Sequence, residues 1–161
     1  MIKETLYNAF TKIGTLEKKR IINFLYRNIE NTNVSEADVI RGVEYAVKEI
    51  ASFGGYVLVL EDETQLLGVA VINHTGMEGN SPKSVLVQIA TSNNYEDGNL
   101  LKQLVDRVIH HCDGELGLQI LPDNPAIAHF ENFGFKQEFV VMTLRRPTRQ
   151  AKIYRRYRVT G

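Results

Sequence analysis

Few side chains in this sequence combine the type and the spacing that covalent chemistry needs. Of the four histidines, His74 stands at the end of a strand pattern. It is a general base by type, with a solvated loop histidine as the plainer account. His110 and His111 fall at a helix end, where attraction to the helix dipole explains them. His129 sits beside Phe130, off the apolar face. Cys112 is the single cysteine. It follows an apolar helix stripe, as a structural thiol does, and alone it excludes an intramolecular disulfide or a thiolate metal cluster. No His, Cys, Asp or Glu spacing predicts a metal site. No Ser-His-Asp set or Walker-type loop is present. What is left is chemistry done at strand and helix ends, which depends on the elements that place them.

The stretch Leu116–Lys136 organises the rest. Leu116, Leu118, Ile120 and Leu121 read as a strand that Pro122 ends. Asp123 or Asn124 caps a helix with Pro125 at its first position. Ala126, Ile127, Phe130 and Phe133 follow at helical spacing, Gly134 closes the helix, and Phe135–Leu144 reads as another strand. Pattern alone makes this unit an ordinary α/β crossover. Upstream, residues 1–15 are short helix or strand. Ile21, Ile22, Leu25, Tyr26 and Ile29 predict a helix capped by Thr15. Ser35 with Asp38 is a capping pair for a second helix, with Val39, Ile40, Val43, Val47 and Ile50 facing inward. Tyr56–Leu60 and Leu66–Ile72 are apolar runs joined by a polar turn, a hairpin buried on both faces. Gly68 predicts a bulge or a close backbone approach. Val85–Ala90 is the next strand. Asn93 or Asn94 caps a helix bearing Leu100, Leu101, Leu104, Val105, Val108 and Ile109. Ile153, Tyr157 and Val159 alternate with arginines, as an edge strand or a basic tail does. Antiparallel strands followed by crossovers predict an α/β (α+β) mixed sheet covered by helices.

The 161 residues, 43% hydrophobic and 24% charged, fit one soluble globular domain at 1–144, followed by a basic strand or tail at 145–161. No apolar run is long enough to span a bilayer, no secretion signal opens the chain, and a reducing cytosol is the simplest location. All 19 acidic residues lie at or before Glu138, whereas 7 of the 19 basic ones fall at or after Arg145. Residues 1–144 therefore carry −7 and the last seventeen +7. Tyr154, Tyr157 and the basic residues from Arg149 to Arg158 have the composition of a nucleic-acid contact. A solvated tail, or one paired with the acidic body, is preferred, because that body repels phosphates. The same acidity suits a cationic partner.

The spacing Asn124, Ala128, His129-Phe130, Gly134-Phe135 resembles the late motif of the GNAT superfamily, the acyl-CoA-dependent N-acyltransferases, and the element order is similar over nearly the whole chain. The resemblance implies a GNAT-like, mostly antiparallel central sheet with about four helices. It implies transfer of an acetyl group from acetyl-CoA to a primary amine of a small molecule or protein, in a chain that is a possible homodimer. The alternative is a catalytically silent module that binds acyl-CoA or a protein partner. By resemblance the cofactor lies along Ile89, Ala90 and Thr91, at the loop bearing Tyr95, Gly98 and Asn99, and against Asn124 and Phe130. In that loop only Gly98 matches the family pattern [R/Q]-x-x-G-x-[G/A]. Tyr95 replaces Arg or Gln, Leu100 replaces Gly or Ala, and Glu96 and Asp97 would repel a pyrophosphate. Phe130 stands where a tyrosine often protonates the departing thiolate, so that acid is missing.

Overall fold

In the computed structural model, which describes residues 1–29, 34–95 and 98–147, the two apolar runs form the centre of one five-stranded sheet. The strands are β1 (Lys3–Tyr7), β2 (Gly55–Glu61), β3 (Leu66–His74), β4 (Ser84–Thr91) and β5 (Leu116–Gly117). The helices are α1 (Thr15–Asn28), α2 (Glu36–Ala46), α3 (Leu100–His111) and α4 (Ala126–Asn132). Strand order follows chain order. β1 to β4 pair antiparallel and β5 joins β4 in parallel. The expected mixed, mostly antiparallel sheet with four helices is therefore what forms.

The sheet separates two cores. Alternation sends Val57, Val59, Val69 and Val71 to one face, against Ile21, Leu25, Val39 and Val43 of α1 and α2. Leu58, Leu60, Ala70 and Ile72 face the other way, against Leu104, Val105 and Val108 of α3 and Phe130 of α4. The successive side chains of a strand must point to opposite faces, so β2 and β3, apolar at every position, are covered twice. Gly68 marks the bulge its position predicts, and the close neighbour there is a side chain rather than backbone. The register slips beside it, between Leu60 and Glu61, and a methyl at Gly68 would lie 3.1 Å from Leu104 Cδ2. Gly55 is tighter still: its missing Cβ would sit 1.9 Å from the Ile72 carbonyl oxygen.

The ends of the elements bear out the pattern in some places and depart from it in others. β1, ambiguous in sequence, is an edge strand whose Leu6 and Tyr7 pack on opposite sides of the sheet. Thr15 lies inside α1, and Gly14 takes the N-cap position without a side chain to offer. The Ser35–Asp38 pair is a true capping box, with the Ser35 side chain accepting from the Asp38 N–H and the Asp38 carboxylate accepting from the Ser35 N–H. Hydrogen bonds from Ser35 and then the Arg41 guanidinium hold the Asp38 carboxyl down at about 2. Phe135–Leu144 is not a strand. Phe139, Val140, Val141, Met142 and Leu144 are 64–92% exposed, because strand-forming residues without a neighbouring edge have nothing to pair with. The expected final strand or tail beyond Pro147 lies outside the described residues.

Candidate functional site

β4 and β5 meet only at Ser84↔Leu116 and Val85↔Gly117. Gly117 is required there, since a methyl would lie 2.5 Å from Pro82 Cγ. Past Gly117 the chain leaves the ladder, and Leu86–Thr91 has no described partner on that side. Two parallel strands that part toward their C-terminal ends leave an opening of the kind in which α/β sheets bind ligands. Ile89, Tyr95, Leu118 and Ile120, all partly buried, line the apolar cluster beneath it. β4 also carries a register shift opposite Val71 and Ile72 that leaves Val87 unpaired with β3 and 41% exposed.

The opening is bordered by two helix termini. α3 starts at Leu100 with Asn99 at its N-cap, whose side chain makes no cap hydrogen bond. The expected caps Asn93 and Asn94 therefore lie in the preceding loop. Glu96 and Asp97 lie outside the described residues; in the chain they precede the cap rather than occupy the first turn. Leu100, the residue that seemed to bar a phosphate, is 2% exposed and turned into the core with Leu104 and Val108. That orientation was readable from the i, i+4, i+8 spacing of the three. A methyl on Gly98 would meet nothing within 4 Å, so no close contact requires a glycine there. A helix N-terminus suits an anionic group.

On the far wall, Asn124 uses its side chain locally: Oδ1 accepts from the Ala126 N–H at 2.9 Å. Gly134, at φ +102°, closes α4 in a Schellman turn, in which the Gly134 N–H reaches the Glu131 carbonyl and the Phe135 N–H reaches the Phe130 carbonyl. The ring of Phe130 is 6% exposed and makes edge contacts with Phe133 at 6.0 Å and Phe135 at 5.5 Å. The structure brings Ile89, Tyr95 and Phe130 onto one cluster. Ala90 faces the α1–α2 core instead.

His74 is at the wrong end. It pairs with Ser84, at the closed end of the opening, whereas Gly68 pairs with Thr91, so about 20 Å of strand separates it from the open end at Thr91. Its Nδ1 is 3.0 Å from Ser84 Oγ. Antiparallel pairing of β3 with β4 dictates this. His111 Nε2 contacts Glu4 at 2.5 Å. Burial pushes the Cys112 thiol up, which suppresses the thiolate and fits a structural role. Sequence reasoning gave the side chain of Gln88 no role. It lies 8% exposed on β4, its Nε2 donates to the Asp38 carbonyl at 2.9 Å, and its amide is wedged against Gly42, where a methyl would lie 2.8 Å away.

With this geometry in place, the fold is that of the GNAT superfamily. The aminoglycoside N-acetyltransferase AAC(6')-Iy in complex with CoA is similar over 92% of this chain and 97% of its own, at TM-score 0.61 and 12% identity. A predicted acetyltransferase with acetyl-CoA from Clostridium acetobutylicum is similar over 90% and 96%, at TM-score 0.62 and 10% identity. A transcriptional regulator from Bacillus halodurans C-125 is similar over 89% and 99%, at TM-score 0.59 and 14% identity. No protein-family model matches the sequence, and no curated protein does. Among the described residues no helix is long and apolar enough to cross a membrane.

Proposed function

We propose that the chain is a cytoplasmic N-acyltransferase that moves an acetyl group from acetyl-CoA to a primary amine. The observation that carries this reading is the parting of β4 from β5 after two residues, over an apolar floor. Acetyl-CoA would supply an acyl group already activated as a thioester. The residues present fit it. Gly98, Asn99 and the first N–H groups of α3 would hold the pyrophosphate, as the N-terminus of a helix does. The backbone of Ile89, Ala90 and Thr91 gives the extended arm a strand edge to lie along. Ile89, Tyr95 and Ile120 keep water from the reacting end. Asn124 and Phe130 act at one remove, by fixing α4 as the outer wall. Residues 1–144 form the working domain, with 145–161 as an appended basic segment, and a homodimer is compatible with this arrangement.

A second reading has its own observation. None of Leu86–Thr91 or Leu118–Leu121 carries an ionisable side chain, His74 is remote, and Phe130 has no proton to give. A chain that binds acyl-CoA without turning it over would look like this. Thermal melting separates the two. Acetyl-CoA at a hundredfold excess over Kd adds about 2.7 kcal/mol, a rise of roughly 5–10 °C for this size. A rise with thiol release across a panel of amines supports transfer. A rise without release supports the silent module. No rise at millimolar cofactor removes transfer and leaves a module that binds a protein partner.

A further inference from the structure

The face of α1 toward the C-terminal end of β4 forms one wall of a cleft of about 580 Å3. Arg20, Asn23, Arg27 and Asn28 line it from the helix, and Asn93 and Asn94 line it from the loop that follows β4. These helix positions are spaced i, i+3, i+7 and i+8, so a single face presents two guanidinium groups and two amides. Arg20 is held by Glu17 and Glu61. Among the described residues Arg27 has no ion pair and no carboxylate lines the cleft there. The loop wall begins one residue beyond Thr91, so the cleft and the β4–β5 opening share a strand end.

We propose that this cleft holds the acidic group of the acceptor, so that the substrate is an amine that also bears a carboxylate or a phosphate. The net −7 of residues 1–144 suggests a cationic acceptor, but exposed charges more than about 10 Å away are largely screened at 0.1 M salt. Contact groups decide instead. Here they are Arg27, with the planar fork that suits carboxylate and phosphate, and amides that donate to oxygen and to hydroxyls. The word acceptor rests on the transferase reading; the anion site does not.

Inorganic phosphate titrated into the 15N-labelled full chain tests the cleft. The expected result is saturable shifts of the backbone amides in the last turn of α1 and at Ser92–Asn94, weakened about tenfold by Arg27→Gln and unchanged by Lys19→Gln. Gly98 and Asn99 report separately on the cofactor cradle. 4-Aminobutyrate and O-phosphoethanolamine should move the same amides and bind more tightly than 1,4-diaminobutane; whichever of the two binds more tightly names the acidic group. Shifts confined to Gly98 and Asn99, indifference to Arg27→Gln, or tighter binding of the diamine overturns the proposal. If acetyl-CoA raises the melting temperature while phosphate leaves α1 untouched, the anion site falls and the transferase reading stands. If phosphate binds at α1 and acetyl-CoA has no effect, the anion site stands and its role as an acceptor site falls.

Discussion

β2 and the segment Phe139–Leu144 are built from the same kinds of residue and meet opposite fates. Val57, Leu58 and Val59 are 0% exposed, whereas Val140 is 88% and Met142 92% exposed. Both runs have strand composition. β2 lies between β1 and β3, with a helix layer on each face. The later run follows α4, and the last strand of the sheet, β5, is only two residues long. A strand is a property of an available edge as much as of the segment that would fill it. Burial and stability therefore concentrate in the first four strands, while the opening lies at the border with the loosely held part.

The sharpest way to break this contrast is in β2. Gly55→Ala places a methyl against a backbone carbonyl that cannot move aside, and is expected to cost more than about 4 kcal/mol or to prevent folding; urea unfolding reads it. Next is Phe130→Ala, which empties the aromatic cluster of α4 and should cost about 3–5 kcal/mol. A loss near 1 kcal/mol there would mean that α4 is held no better than the segment after it. Third is the capping box of α2. The Asp38 carboxyl is depressed, so the stability it brings is complete above its ordinary 3.8 and is lost as pH falls toward about 2. The melting temperature of Asp38→Asn should lie below that of the native chain at pH 6 and converge with it at pH 2. Smallest is the double change Val140→Ser and Met142→Ser, expected within about 0.5 kcal/mol. A larger loss would show that the segment packs on something.

The sequence made most of the core legible, because β2, β3, β4 and α3 each announce themselves by an uninterrupted run or an i, i+4 stripe. Ser35 and Asp38 announced their capping box by spacing alone. The failures share a cause. Thr15, Asn93 and Asn94 have capping side chains, but a cap is chosen by where the helix starts, and Gly14 and Asn99 hold those places. Phe135–Leu144 satisfied a local preference that the neighbouring strand did not meet. At the candidate site, Gly98 and the late motif drew attention to the right border. Which way Leu100 turned, and how far His74 lay, depended on helix phase and strand direction. Gln88 gave no signal, since a glutamine between apolar residues looks like a surface position until a helix is laid over it.

That glutamine ties a strand to a helix. Its amide fills the hollow left by Gly42 and donates to the Asp38 carbonyl, so the half of β4 that β5 leaves bare is fastened to α2 by a side chain as well as to β3 by the ladder. The strand that borders the opening is thereby held from the helix layer behind it.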